Sequence, residues 1–446
     1  MTAVLWFRRD LRLLDHPALQ AAAAAGEVVP LFVLDPALLE CAGAPRVSFM
    51  LDCLRELHEA TGGALVVRSG TPESVVVDVA REVGATQVHI TGDAGPYGAS
   101  RDARVSKALA DDGVDLVVTG SAYAVGPGQI RKSDGTPYSV FSPYYKGWLA
   151  HGFPAPAGPV AAQWRTGITS EPVPDSPATH ATLPAAGEKA GLQRLEDFLT
   201  RQLPDYSRDR NDPAIDVTTR LSPYLRWGCV HPRTILARLG SDKPDEKLRS
   251  EVAWREFYAD VLFHRPTAPQ VALQASMRGM NSDAGPAADQ LYDAWLAGRT
   301  GYPIVDAGMR QMAGEAWVHN RVRMVVASFL VKDLHLPWQR GAKAFMQGLV
   351  DGDLASNYLG WQWVAGTGTD PAPYVRVFNP ILQGKRHDPT GAYVRRWVPE
   401  LQEVPDEWIH EPWAAPGGIP AAYAERIVDH AEERVEALRR YGERPA

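Results

Sequence analysis

Several kinds of chemistry are excluded by what the sequence contains little of. Cysteine occurs only three times in 446 residues, as Cys41, Cys53 and Cys229, with no Cys-x-x-Cys pair. Neither a disulfide framework nor a thiolate zinc site is expected, and a reducing cytoplasm fits. No apolar run reaches the length of a membrane span, and the chain opens on Val4-Leu5-Trp6-Phe7 followed directly by charge. That opening predicts neither export nor membrane anchoring. Gly-Lys-Ser/Thr phosphate loops, His-Glu-x-x-His and Gly-x-Ser-x-Gly are all absent, which argues against the corresponding NTPase, zinc-protease and serine-hydrolase chemistries. Basic charge is not in excess either: 46 Lys+Arg against 53 Asp+Glu leave a formal net charge of −7. Indiscriminate nucleic-acid binding is disfavoured, but a single basic groove on an acidic body is compatible with that total.

With 45% hydrophobic residues, the chain can bury a large core. Apolar runs of strand length at 3–7, 28–34, 64–68, 86–91 and 114–119 alternate with helix-like stretches at 16–25, 47–60 and 72–83. This alternation predicts parallel βαβ units and a Rossmann-like α/β first domain over residues 1–130. The first strand runs into Arg8-Arg9-Asp10-Leu11-Arg12, where a dinucleotide fold would place Gly-x-Gly-x-x-Gly, so a nicotinamide enzyme is disfavoured. Pro, Ala, Gly, Ser and Thr dominate from about 150 to 190, and residues 131–190 are read as an interdomain connector. Beyond it the apolar spacing is helical, as at 191–199, 251–262 and 306–330, which predicts an all-α domain over 191–446.

Three patterns in that helical part carry chemistry. Thr218-Thr219-Arg220-Leu221-Ser222-Pro223 gathers three hydroxyls and a guanidinium where a helix begins, which serves either an ordinary N-cap or a bound pyrophosphate. In His319-Asn320-Arg321-Val322-Arg323-Met324 the two arginines face opposite sides of their helix, so that one can pair with Asp351 or Asp353 while the other meets solvent or a phosphate. His319 reads as a structural histidine. Ten of the 13 tryptophans follow residue 220. Most suit a core, but Trp361-Gln362-Trp363 points its two indoles in different directions, so that one can face a cofactor and the other a channel.

These segments, together with Trp254-Arg255-Glu256-Phe257-Tyr258, Thr300-Gly301-Tyr302-Pro303, Asp351-Gly352-Asp353 and the opening Leu5-Trp6-Phe7-Arg8-Arg9-Asp10, closely resemble the signature of the photolyase/cryptochrome family over essentially the whole chain. The resemblance is strongest to the class acting on cyclobutane pyrimidine dimers. It implies an antenna-chromophore domain followed by a helical domain that binds FAD and damaged DNA. By this resemblance Tyr206, Thr218, Thr219, Arg220, Leu221 and Ser222 hold the flavin diphosphate and ribityl region. Arg323 and Asp351 flank the isoalloxazine, Asp353 lies close by, and Asn357 faces flavin N5, where plant-type cryptochromes usually carry an aspartate. Glu251, Trp254, Asn320, Met324 and Trp363 match the dimer pocket, while Arg210, Arg255, Arg321 and Arg376 match its rim and the neighbouring phosphates. A damaged base pair flips out cheaply and stacks on indoles, which suits such a pocket.

The implied reaction is electron transfer from photoexcited, reduced FAD to the dimer, with Glu251 stabilising the charge that develops there. No general acid or base is needed for ring splitting. Trp361 and Trp338 match the inner two members of a tryptophan wire, but the outer position falls at about Gly285, leaving Trp295 or Tyr292 as the exit. Asp93-Ala94-Gly95-Pro96-Tyr97 through Arg101-Asp102 looks like the antenna segment of deazaflavin-binding relatives. An 8-hydroxy-5-deazaflavin near Arg46, Tyr97 and Arg101 is therefore expected, with a folate as the alternative. The paired histidines of (6–4) photolyases are missing from 319–324. The expected working form is a cytoplasmic monomer whose partner is damaged DNA. A cryptochrome-like photoreceptor that signals without repair is the alternative.

Overall fold

Five strands form one wholly parallel sheet in the order β3-β2-β1-β4-β5, comprising β1 (Thr2–Phe7), β2 (Glu27–Leu34), β3 (Val66–Ser69), β4 (Gln87–Gly92) and β5 (Asp115–Ser121). They lie within two or three residues of the runs read from sequence. The computed structural model describes residues 2–370 and 376–442. Helices Pro17–Ala25, Ala44–Ala60, Pro72–Val83 and Pro96–Asp111 supply the crossovers, and the inner strands are buried along nearly their whole length, as a sheet covered on both faces requires. Strand order reverses at β1, so the crevice where ligands of such sheets bind lies beyond the carboxyl ends of β1 and β4. Arg8, Arg9 and Asp10 meet Thr91, Gly92, Asp93, Ala122 and Tyr123 there.

The described residues pack as two units. One holds the chain up to Thr179, Pro184–Leu203 and Thr219–Pro266; the other holds His180–Leu183, Pro204–Thr218 and the chain from Thr267. The proline-rich stretch keeps no helix or strand between 152 and 186. It nevertheless follows the sheet, with Val28 N–H donating to the Gln163 carbonyl, Arg165 N–H to Val28 and Glu171 N–H to Val67. Backbone bonds to strand edges give order to a composition that cannot order itself.

The first unit also contains the Lys243–His264 helix, which binds the loop after β5 through Glu256. This carboxylate is fully buried and accepts the N–H groups of Ala124 and Val125 and the Trp148 indole N–H, the last two at 3.0 and 2.7 Å. Burial pushes its pKa up, while the three donors pull it back.

In the second unit, helices Pro286–Leu296, Pro303–Glu315, Asn320–Lys332, Trp338–Gly348 and Leu354–Ala365 surround a core that includes Trp295, Tyr302, Phe329, Phe345 and Trp361. The expected single helical run over 306–330 is two helices. Ala316 stops the first with φ 49°, and His319 starts the second by accepting the Arg321 N–H on Nδ1 at 3.1 Å. Apolar spacing continued through the break because Trp317 and Val318 are themselves buried, and periodicity alone does not register a change of axis. Among the described residues no helix is long and apolar enough to cross a membrane.

Glu256→Ala orphans three buried donors and should cost about 2–4 kcal/mol by their desolvation, read as a lower urea midpoint. Glu256→Gln, which keeps one acceptor, should lose about half as much.

Candidate functional site

Breaking the helix at 316–319 frees the Val318 carbonyl, and Arg323 takes it with Nε at 2.7 Å. The same guanidinium reaches Asp351 Oδ2 at 2.8 Å. Asp351 is buried, and its Oδ1 finds no partner among the described residues. A buried carboxylate oxygen without a donor is costly, so this oxygen is available to a donor that the polypeptide does not supply. Two residues on, Asp353 caps the Leu354–Ala365 helix by accepting the Ser356 N–H at 3.0 Å. One turn into that helix Asn357 donates its amide to the Ala342 carbonyl at 2.8 Å, which orients the side chain and leaves its oxygen for another partner. An arginine, an unpaired buried acceptor and a fixed amide oxygen suit a planar heterocycle with both N–H and ring-nitrogen groups, and a flavin is one.

Trp361 and Trp363 do diverge. Trp361 is buried against Phe345 at 5.1 Å and edge-on to Trp295 at 6.1 Å. It packs so closely on the Trp338–Gly348 helix that a Cβ at Gly341 would lie 2.1 Å from its ring, so residue 341 has no room for a side chain. Trp338 opens this helix and meets Tyr358 edge-on at 6.3 Å. Between the two indoles Gln362 is fully buried, donating to the carbonyls of Ala268 and Val271 and accepting from Leu273 N–H. Trp363 is half-buried, with the Arg376 guanidinium 5.9 Å from its ring centre.

Gly285, at the missing outer-tryptophan position, has φ 90° and opens the Pro286–Leu296 helix, a conformation that disfavours any side chain there. Trp295 and Tyr292 lie on this same helix with ring centres 5.9 Å apart, and Arg340 stands 4.1 Å over Tyr292.

On the Asn320–Lys332 helix, Asn320 is exposed and Met324 half-buried. Arg321 bonds Asn211 Oδ1 at 2.9 Å and approaches Met324 Sδ at 3.8 Å. Burial first, and then the charges of Arg210 and Arg386, lower the Arg321 pKa. Arg386 was not singled out in the sequence, where Lys385-Arg386-His387 looks like ordinary basic residues at a helix end; its proximity to Arg321 is a tertiary fact. Arg210 itself lies over the buried Tyr206 at 5.3 Å, and Thr218 belongs to this second unit as well.

Thr219, Arg220, Leu221, Ser222, Glu251, Trp254 and Arg255 belong to the first unit. Leu221 is the N-cap of the Ser222–Trp227 helix, and the Thr219 hydroxyl accepts the Leu221 N–H at 3.2 Å. Arg220 has φ 50°, a conformation that costs a non-glycine residue about 1 kcal/mol, and Arg194 pins the Thr219 carbonyl at 2.8 Å. Glu251 pairs with Lys247 at 3.0 Å. Trp254 stacks on Phe141 with centroids 3.8 Å apart. Arg255 holds the carbonyls of Ala122 and Leu225 and covers Tyr123, which ties it firmly into its own unit.

Near the crevice of the sheet, Arg101 lies 5.0 Å from the Trp6 ring and 5.9 Å from the Tyr97 ring, and pairs with Asp102 at 2.8 Å. Tyr97 donates to Asp35, and burial raises its pKa to about 12. Arg46 is buried on the Ala44–Ala60 helix.

Residues 3–160 match the family described as DNA photolyase, and residues 248–443 match the FAD binding domain of DNA photolyase. A deoxyribodipyrimidine photo-lyase of Streptomyces griseus is 42% identical, the match covering 99% of each chain. A solved bacterial class III photolyase from Agrobacterium tumefaciens superposes with a TM-score of 0.90 at 35% identity over 99% of this chain and 97% of that one. An archaeal photolyase from Sulfolobus tokodaii, solved with two FAD molecules, gives 0.87 at 28% identity over 99% and 100%.

Asp351→Ala should reduce the flavin-to-protein ratio after purification by about tenfold, since a charge-assisted hydrogen bond is worth roughly that factor; visible absorbance against total protein measures it.

Proposed function

The chain belongs to the DNA photolyase family, and from that membership we propose how its own residues carry out light-driven repair of cyclobutane pyrimidine dimers in DNA. It is an enzyme, a light-dependent carbon–carbon lyase. Bound in its fully reduced form, FAD would supply a photoexcited one-electron donor to the dimer and take the electron back once the ring has split. The observation that carries the reading is the Arg323–Asp351 pair beside Asn357, with an unpartnered Asp351 oxygen, in a chain similar from end to end to named photo-lyases.

In this proposal Asp351 would hold the flavin by accepting a ring N–H, Arg323 fixes that carboxylate, and Asn357, its amide N–H held by Ala342, would offer its oxygen to the N5 edge. Tyr206, Thr218, Thr219, Arg220, Leu221 and Ser222 hold the diphosphate and ribityl region, and Asp353 keeps the Leu354–Ala365 helix start in place. Glu251, released from Lys247 and carrying a proton, donates a hydrogen bond to a dimer carbonyl and stabilises negative charge as it develops there. Trp254 and Trp363 stack on the flipped bases, while Asn320 and Met324 contact them. Arg210, Arg255, Arg321 and Arg376 offset phosphate charge. A photoreceptor that signals without repair is not supported by relatives named for the repair reaction over the whole chain length.

Trp361 and Trp338 are proposed as the inner members of the route by which charge passes between interior and surface, and Trp361 leads on to Trp295 or Tyr292 as the exit. The ring contacts of Trp361 with Trp295 and of Trp295 with Tyr292 support this exit. An 8-hydroxy-5-deazaflavin, or alternatively a folate, is proposed as antenna near Arg46, Tyr97 and Arg101; the guanidinium between the Trp6 and Tyr97 rings suits an aromatic ligand. The mass of the extracted chromophore identifies it. The working form is a cytoplasmic monomer.

Reduced protein incubated with an oligonucleotide carrying one thymine dimer should restore thymines under blue light and not in darkness, as quantified by chromatography. Absence of restoration with reduced FAD bound would overturn the reading. Glu251→Ala should lower repair yield by about tenfold or more while leaving flavin content intact. Trp361→Phe should abolish photoreduction of the oxidised protein, and Tyr292→Phe should slow it without affecting repair by protein reduced chemically; photoreduction that survives Trp361→Phe removes the wire.

A further inference from the structure

Lys332 ends the Asn320–Lys332 helix and is 3% exposed. Its ammonium donates to the Arg376 carbonyl and lies 5.6 Å from the Tyr441 ring. Burial, reinforced by the Arg376 charge and opposed by Asp333, pushes its pKa down to about 8. One turn earlier Ser328, 1% exposed, accepts the Phe378 N–H on its hydroxyl at 3.3 Å. Asn320, Met324, Ser328 and Lys332 are spaced four apart and form one stripe along the helix. The front half of the stripe carries two residues assigned above to the dimer. Its rear half grips both ends of the segment 376–378, from which Arg376 leans over Trp363.

A buried ammonium is expensive, and an apolar side chain would fill the same space at lower cost. The neighbouring Asp333 charge offsets part of that cost and the Arg376 charge adds to it. What Lys332 supplies that an apolar residue cannot is a directed bond to one backbone carbonyl. We propose that Lys332, seconded by Ser328, is a positioning residue for lesion recognition, holding the 376–378 backbone so that the Arg376 guanidinium stays over Trp363. The inference rests on the assignment of Arg376 and Trp363 to damaged DNA made above.

Dark binding of the flavin-loaded protein to a dimer-containing oligonucleotide, followed by fluorescence anisotropy, tests it without depending on catalysis. Arg376→Ala should weaken binding by about tenfold, and Lys332→Met by nearly as much. In the double variant the Lys332 change should add less than about twofold, because it acts through a group already removed. Ser328→Ala, a milder change, should weaken binding in the same direction. In repair assays Lys332→Met should raise KM and leave kcat unchanged, with flavin content as in the parent. Factors that multiply in the double variant, or Lys332→Met binding like the parent while Arg376→Ala does not, would overturn the proposal. So would a loss that tracks falling flavin content in both Lys332→Met and Ser328→Ala. If Arg376→Ala itself leaves binding unchanged, the assignment of the rim fails and this inference with it.

Discussion

Arg323 can reach Asp351 because the helical pattern starting at Pro303 breaks at Ala316 and resumes on a new axis at Asn320. The break exposes the Val318 carbonyl that braces the guanidinium, and Val350 N–H bonds the Ala316 carbonyl so that the chain leading into Asp351 is tied to the same corner. Asp353 then starts the helix that carries Asn357, Trp361 and Trp363. Shifting the break by one residue would rotate Arg323 by about 100° about its helix and leave a buried carboxylate unpaired. The ion pair is thus a consequence of one interruption in an otherwise helical stretch.

The aromatic residues divide by what surrounds them. Trp295 is wholly buried and donates its indole N–H to Val326, so its position is set by core packing, yet that same packing brings it edge-on to Trp361. In the proposed charge-transfer route Trp295 is thus a core residue and a relay together. Gly285, with its positive φ, disfavours a tryptophan at that point of the chain, and Tyr292 on the next helix is half-buried beneath Arg340.

Charge follows the same logic at larger scale. A net charge of −7 conceals a local gathering of Arg210, Arg321 and Arg386, whose mutual repulsion contributes to lowering the Arg321 pKa. Like charges held together in a folded protein are a standing cost that an anionic partner relieves. In the proposed function that partner is the backbone of damaged DNA.

The sequence by itself determined the parallel α/β unit, the helical remainder and the family, because strand alternation, helical spacing and long ordered motifs are all properties of neighbours along the chain. It also predicted that one of Arg321 and Arg323 pairs with Asp351 or Asp353 while the other faces away, since a two-residue offset on a helix forces the arginines apart. It missed the division of 306–330 into two helices, because the buried Trp317 and Val318 preserve the apolar rhythm across the corner. Only tertiary structure decided which aspartate pairs and which caps a helix, that Gly341 must lack a side chain beneath Trp361, that Arg386 joins Arg321, and that Lys332 holds the Arg376 carbonyl. Except for the Asp353 cap, which reaches only to Ser356, each of these is a contact between residues more than a dozen positions apart, and spacing along a chain carries no record of distances across a fold.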